Sequence, residues 1–226
     1  EPLTPVMYPI YLFFIIMAYM KILCQTNIND TIIPMNSEYL QKENNPREGF
    51  FKEIIKFTII ALVIVVPIRT YVAQPFIVSG PSMDPTFSTN QYIIVDQLTY
   101  HFQEPKRNEV IIFRYPRDPQ TFYIKRIIGL PGETLSVDTG RVTVTNKENP
   151  RGILLSDTYV ANKHRTSETF NITLGPTEYF VMGDNRAESS DSRLWGPLDR
   201  KFIVGRPFVR LFPLSKLSFF PGGENI

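Results

Sequence analysis

The sequence predicts a mainly β fold of short antiparallel and barrel-like sheets, preceded by one or two transmembrane helices. Three observations carry that expectation. From about residue 76 onward, short runs of β-branched and aromatic residues alternate with clusters of Pro, Gly, Asn and Asp, and helical periodicity is nearly absent. Before that point stand two long apolar runs with almost no charge. The chain has 226 residues, 19 of them Pro and 12 Gly, which suits one domain with appendages and a core that needs no staple.

The first apolar run, Pro5–Met20, carries no charge. A bilayer core needs about 20 apolar residues, so residues 1–24 read as a first span. A buried helix and the apolar region of a secretory leader are the alternatives, but no small-x-small cleavage site follows. The second run, Ile54–Ile68, holds Lys56 as its only charge and extends with its flanks to an anchor over 54–75. Lys42, Arg47 and Lys52 precede it, whereas Arg69 is the only Lys or Arg between it and Lys106. The bias of basic residues places the polar segment 25–53 in the cytoplasm and the domain 76–226 outside. With both runs spanning, Glu1 also lies outside. Met35 opens a polar stretch that would serve equally well as a cytoplasmic start, so this topology does not need residues 1–34.

In the outer part, strands are expected at Gln91–Gln97, Glu109–Tyr115, Thr121–Ile128, Thr134–Val137, Arg141–Thr145, Glu178–Met182 and Phe202–Leu211. Val137-Asp138-Thr139-Gly140-Arg141 reads as a hairpin turn in which Gly140 supplies a positive φ. Residues 146–176 are polar and read as an irregular insertion. The segment contains Asn171-Ile172-Thr173, a glycosylation triplet without meaning in a bacterial cell, and His164, read as an ordinary surface residue.

Composition excludes several functions. With 24 Lys+Arg against 22 Asp+Glu, the net charge of +2 gives no electrostatic footprint for nucleic acid. One Cys forbids an internal disulfide, and with only two His it argues against a metal site. No cofactor is expected. The two histidines also leave little room for His-based catalysis.

Three segments carry chemistry. In Phe76-Ile-Val-Ser-Gly-Pro-Ser-Met-Asp-Pro-Thr-Phe87, Pro81 and Pro85 bracket Ser82 in a turn that fixes its hydroxyl. Taken alone, a serine in such a turn is more often turn chemistry than a nucleophile. In Thr121-Phe-Tyr-Ile-Lys-Arg-Ile-Ile-Gly-Leu-Pro-Gly132, alternation puts Tyr123, Lys125 and Ile127 on one face of a strand. A lysine between bulky apolar neighbours loses solvation, which lowers its pKa and makes the neutral amine a competent base for a hydroxyl. Without further evidence, a solvated face is the commoner fate of such a lysine. The third, Gly183-Asp-Asn-Arg-Ala-Glu-Ser-Ser-Asp-Ser-Arg-Leu-Trp-Gly196, is dense in hydrogen-bonding groups and reads either as a solvated turn or as a loop that orients a catalytic group.

In this order, after an apolar anchor, the strings SGPSMDPT, YIKRIIGLPG and GDNR-x-x-S-x-DSR-x-WG resemble the signature boxes of bacterial type I signal peptidase (leader peptidase). Glu109–Pro116 matches a fourth segment of that family, and the likeness covers about residues 52–210. It implies a serine endopeptidase in the bacterial plasma membrane, with an extracytoplasmic active site. Its partners would be signal-peptide-bearing precursors, cut after small residues of the Ala-x-Ala type, and the lipid bilayer. By the resemblance, Ser82 is the nucleophile, Lys125 the general base, and Ser189 the serine whose hydroxyl positions the lysine. Asp191 and Arg193 form a supporting charged pair, Asp184, Asn185 and Arg186 open the same loop, and Arg126 supports from the face opposite the base. Phe76, Val78, Met83, Tyr123 and Ile124 fall where the family lines its shallow substrate pockets.

Two departures stand out. Gly80 occupies the position two before the nucleophile, where some members carry a serine that helps hold the oxyanion, and Asn108-Glu109 replaces the usual Gly-Asp. Two other readings fit parts of the sequence: a Ser/Lys self-cleaving protease of the repressor type, and a catalytically silent membrane-tethered β module that binds partners. The apolar run and the third box speak against the first, and the matched dyad against the second.

Overall fold

The computed structural model describes residues 2–5, 46–67, 73–161 and 166–223. Most of the first apolar run, the loop up to residue 45 and His164 lie outside the described residues. The chain divides into two compact units, Met7–Val66 and a second made of Glu1–Val6 with Pro67–Ile226.

The described part of the first unit is helix α1, Pro46–Pro67, whose last residue already falls in the second unit. Pro46 is tolerated in the first turn, where its missing N–H would have no partner. Ile55, Phe57, Ile59, Ile60, Leu62, Val63 and Ile64 are all exposed, so its apolar residues do not form one buried stripe. Arg47, Glu48, Lys52, Glu53 and Lys56 confine the apolar portion to its C-terminal half. Among the described residues no helix is long and apolar enough to cross a membrane. Of the expected anchor over 54–75, the described helix covers 54–67, and Ala73–Pro75 belong to a strand of the second unit.

Among the described residues that unit contains thirteen strands: β1 (Thr4–Pro5), β2 (Ala73–Ile77), β3 (Tyr92–Asp96), β4 (Val110–Tyr115), β5 (Asp118–Gly129), β6 (Thr134–Asp138), β7 (Arg141–Thr145), β8 (Ile153–Leu154), β9 (Phe170–Thr173), β10 (Glu178–Met182), β11 (Leu198–Asp199), β12 (Ile203–Phe212) and β13 (Ser218–Phe219). A short helix α2, Ser192–Trp195, follows β10. The larger sheet runs β1-β2-β3-β12-β4-β5-β10-β11, with β13 branching from β12, and the smaller runs β8-β7-β6-β9. All pairings are antiparallel.

The strands in the middle of the larger sheet are apolar on both faces because both faces are covered. In β4 and β5, Val110, Ile112, Phe122 and Ile124 pack into one cluster with Phe76, Val78, Met83 and Phe87. Their alternate neighbours Ile111, Phe113 and Ile127 pack into a second with Tyr179, Val181 and Leu198. The smaller sheet shows the opposite pattern. Leu135, Val137, Val142 and Val144 face inward against Ile128, Phe180 and Met182, and the residues between them face outward.

The β6–β7 hairpin turns through Thr139 and Gly140 at φ 47° and 77°. Gly140 is required twice over, by that φ and by the Thr166 carbonyl oxygen that would lie 2.1 Å from any Cβ. Residues 146–176, expected to be irregular, contribute β8 and β9 and so complete the smaller sheet. The two strands are short and partly exposed, with none of the apolar alternation by which a strand announces itself.

One edge of the larger sheet almost meets its middle. Beyond β3 lies β2, covered on its outer side only by the two-residue β1, and among the named strands the first half of β5 is paired only with β4, because β10 joins β5 at Arg126 to Gly129. The remaining gap is bridged by the N-terminal segment. Thr4 and Pro5 pair with Ile77 and Phe76, and the Leu3 N–H donates to the Phe122 carbonyl at 2.6 Å. Thr4–Pro5 is therefore a strand of the second unit, although residues 1–24 read as a first span.

Candidate active site

The gap ends at a pair of polar side chains. Ser82 follows β2 in a turn closed by the Asp84 N–H on the Pro81 carbonyl at 3.0 Å and the Phe87 N–H on the Met83 carbonyl at 2.8 Å. Lys125 stands on β5, three positions beyond Phe122, in register with Ile111 of β4. Its Nζ lies 2.7 Å from the Ser82 Oγ, forming a buried hydrogen bond between residues 43 apart in sequence. Lys125 has no solvent exposure and Ser82 only 4%.

Burial is the main influence on that lysine. Loss of hydration pushes its pKa down from 10.5 to about 8, while the carboxylates of Asp191 and Asp184 pull it back up and the Arg193 guanidinium opposes them. A neutral amine at 2.7 Å from a serine hydroxyl can accept its proton. The Tyr123 ring, 5.4 Å from Nζ, forms part of the same wall.

The third motif folds into a rigid support beneath the pair. Asp191 caps α2 by accepting from the Arg193 N–H, takes the Gly183 N–H at 3.0 Å, and receives Nε and Nη2 of Arg193 at 2.8 Å each. Burial alone would raise its pKa. Hydrogen bonds and charge from Arg193, then the Gly183 N–H, outweigh burial and hold the carboxyl below its ordinary value. Arg193 reaches on to the Arg186 carbonyl at 2.6 Å and to Glu168 at 2.8 Å. Arg186 itself donates to the Gly183 carbonyl, with its pKa lowered chiefly by burial.

Arg126 points away from Lys125, as alternation along β5 requires. It makes a two-pronged pair with Asp184 at 2.8 and 2.7 Å and donates to the Asn108 and Gly222 carbonyls at 2.7 Å each. Asp184 in turn accepts from the Thr86 hydroxyl of the serine-bearing turn. The Asn185 N–H donates to the Ser82 carbonyl at 3.1 Å, and its side-chain amide donates to the Pro81 carbonyl. The loop therefore grips the backbone of Ser82 itself. Gly183 cannot carry a side chain, since a Cβ there would sit 2.3 Å from the Ser189 Oγ and 2.4 Å from the Ser82 carbonyl oxygen.

Most of the residues singled out in the sequence converge here, but Ser189 is placed differently from the family expectation. Ser189 packs against Gly183 with its Oγ buried and without a hydrogen-bond partner. The hydrogen bond of Lys125 goes to Ser82 instead, and the Ser189 hydroxyl lies on the Asp191 side without reaching bonding geometry. Tyr123 and Ile124, both expected along the substrate pockets, face opposite sides of β5. Ile124 joins Phe76, Val78 and Met83, whereas Tyr123 stacks on Tyr115 at 4.7 Å and meets Phe113 edge-on.

The two departures have local explanations. Gly80 is buried with φ 85°, a left-handed conformation that disfavours a serine. Asn108 takes φ 66° where glycine is usual, and Asn is among the few residues that tolerate it. Sequence reasoning missed Thr86, the Asn108 and Gly222 carbonyls and Tyr159, whose ring lies 4.2 Å from the Arg126 guanidinium carbon. Backbone acceptors leave no mark in a side-chain pattern. Among the described residues no cluster of His, Cys, Asp and Glu has the geometry of a metal site.

Residues 51–212 match the family described as signal peptidase, peptidase S26. A probable signal peptidase I-2 of Synechocystis is 33% identical over 80% of this chain and 82% of its own. A signal peptidase I of Leptolyngbya laminosa is 34% identical over 74% and 82%, and one of Bacillus licheniformis 31% over 78% and 96%. A solved signal peptidase I from Enterococcus faecalis aligns at 28% identity with a TM-score of 0.39, over 46% of this chain and 97% of that one.

Proposed function

Because the chain belongs to the signal peptidase family of serine peptidases, we propose that it removes signal peptides from secretory precursors with Ser82 as nucleophile and Lys125 as general base. The observation that carries this is the 2.7 Å contact between Ser82 Oγ and a Lys125 Nζ that is wholly buried. Lys125 takes the hydroxyl proton as Oγ forms a bond to the scissile carbonyl carbon. The Ser82 N–H faces the developing oxyanion. Lys125 then passes the proton to the leaving amine, the C–N bond breaks, and an acyl-enzyme remains. A water molecule, deprotonated by the same lysine, attacks that ester and releases Ser82 and the new carboxyl terminus.

The substrate lies extended in the gap between β2 and the first half of β5, taking the place of the N-terminal segment that pairs with both strands in this structure. Phe76, Val78, Met83 and Ile124 give its pockets apolar walls suited to small side chains, in keeping with an Ala-x-Ala cleavage site. Asp191, Arg193, Asp184, Asn185, Arg186 and Arg126 hold the serine turn and the lysine strand in register. Ser189 acts through Gly183 and Asp191. The apolar half of α1 serves as a membrane anchor in a bacterial plasma membrane, supported by the exposed aliphatic side chains from Ile55 to Ile64. The catalytic unit then works on the extracytoplasmic face, beside the apolar segment of the signal peptide in the bilayer.

A precursor with Ala at both pocket positions is the test, incubated with detergent-solubilised protein and read by N-terminal sequencing of the product. Wild type should cut after the second Ala, and Ser82→Ala and Lys125→Ala should not. Cleavage at the wild-type rate by either variant would overturn the dyad.

A further inference from the structure

The gap assigned to the substrate is already filled. We propose that Leu3–Pro5 is an intrachain plug, an autoinhibitory strand that occupies the substrate groove and must leave before a precursor can enter. This inference rests on the function proposed above, since it assumes that the gap is where the substrate binds.

Four observations carry it. The segment uses both edges a substrate strand would need, pairing with Ile77 and Phe76 of β2 and donating from Leu3 to the Phe122 carbonyl of β5. Leu3 is only 2% exposed and lies in one cluster with Phe76, Val78, Met83 and Ile124, the residues assigned to the substrate pockets. A substrate side chain and Leu3 cannot both be there.

The third observation is chain direction. β2 runs toward Ser82 and the segment pairs with it in the antiparallel sense, so going from Leu3 to Pro5 leads away from the nucleophile. Leu3, not Pro5, lies at the end of the segment nearer Ser82, so the segment occupies the groove with its chain direction leading away from the nucleophile. The fourth is composition. Pro2 and Pro5 fix φ near −65°, and Pro5 also biases Thr4 toward an extended backbone, so little chain entropy is lost on docking. The same prolines lack an N–H, and β1 spans two residues. The strand is preorganised but makes few ladder bonds, which suits a plug that exchanges with substrate. When both apolar runs span the membrane, this segment and the catalytic unit share one side.

A plug that competes with substrate raises KM and leaves kcat alone, because the enzyme–substrate complex has already lost it. In the full-length protein, Leu3→Glu places a carboxylate in the apolar pocket and should lower KM for the precursor by about tenfold at unchanged kcat. Leu3→Met should behave as wild type. A fluorescein-labelled peptide of residues 1–6 should bind the Leu3→Glu protein and not the wild type, and unlabelled peptide should restore the high KM. Leu3→Ser serves the same comparisons if Leu3→Glu does not fold. A KM within twofold of wild type, or a peptide that binds both proteins equally or neither, overturns the plug. Peptide binding needs no turnover, so the plug is read even if no precursor is cut. Failure of wild type, Leu3→Glu and Leu3→Ser alike to cut would instead count against the proposed function.

Discussion

The two sheets of the second unit treat polar residues in opposite ways. The smaller sheet buries Leu135, Val137, Val142 and Val144, and among the described residues none of its four strands buries a charged side chain. The larger sheet and its adjoining loop bury Lys125, Arg126, Asp184, Arg186 and Asp191. A stable core does not need those charges, since a buried pair often only breaks even against apolar packing. Their arrangement makes sense as positioning: every buried charge beneath the dyad is tied to a neighbour, and Lys125 alone is left with a hydroxyl as its partner.

The largest expected effect tests whether the dyad is the reason for that expense. Ser82→Ala and Lys125→Ala should each lower kcat by at least ~10³-fold, and the double variant should be little worse than either, because the two act as a unit. Additive losses in a steady-state assay would mean that they do not share one proton.

Next comes the ion pair on the opposite face of β5. Asp184→Ala leaves the Arg126 guanidinium buried without its carboxylate and should cost ~3–5 kcal/mol in urea unfolding. Replacing both residues by apolar ones of similar size should recover much of that cost. If Asp184→Ala unfolded at the wild-type midpoint, the pair would not be what secures Arg126.

Lys125 itself should act in reverse. Its folded pKa is depressed below the unfolded value, so protonation favours the unfolded chain. Its contribution is complete above the unfolded pKa and is lost as pH falls through the window from 10.5 to about 8. At ~1.4 kcal/mol per pH unit the loss by neutral pH is ~3 kcal/mol. Lys125→Met should therefore be more stable than wild type at pH 7 by roughly that amount, with the difference shrinking toward pH 10.5. Activity runs the same way as the wild-type stability: kcat/KM should rise with pH through about 8 and level off above it. A flat rate profile between pH 6 and 9 would remove Lys125 as the base.

The same contrast explains what could be read in advance. Strands β4, β5 and β10 were legible because runs of β-branched and aromatic residues have few other uses, and the β6–β7 hairpin because Thr139-Gly140 suits a turn with two positive φ values. The contact between Ser82 and Lys125 was legible through motif order, although no pattern in the residues alone joins positions 43 apart. Strands β8, β9, β11 and β13 were not expected, being two to four residues long and defined by their partners more than by their own side chains. β1 was hidden for a different reason. Pro5 opens an apolar run whose length dominates any reading, and nothing local marks Leu3 as a core residue.

Between these extremes, the smaller sheet should tolerate damage that the larger cannot. Val142→Ala removes buried methyl groups and should cost ~1–2 kcal/mol, leaving kcat/KM unchanged at a temperature where both proteins are folded. A loss of activity exceeding the loss of folded protein would mean that the satellite shapes the site.

The smallest effect is the most discriminating, because Glu168 joins the two regions. It precedes β9 and pairs with Arg193, while its backbone carbonyl accepts the Gly140 N–H of the hairpin at 3.1 Å. Its side chain is 41% exposed, so solvent screens the pair and Glu168→Gln should cost less than ~1 kcal/mol. Arg193 keeps Asp191 and the Arg186 carbonyl as partners, and kcat should stay within about twofold. The catalytic loop would then hold itself together, with the satellite merely attached to it. If Glu168→Gln instead shifted the pH at which activity rises, the only route is electrostatic: a change in the Asp191–Arg193 pair felt by Lys125, on which both exert their charge. That result would make the smaller sheet part of the machinery that sets the base.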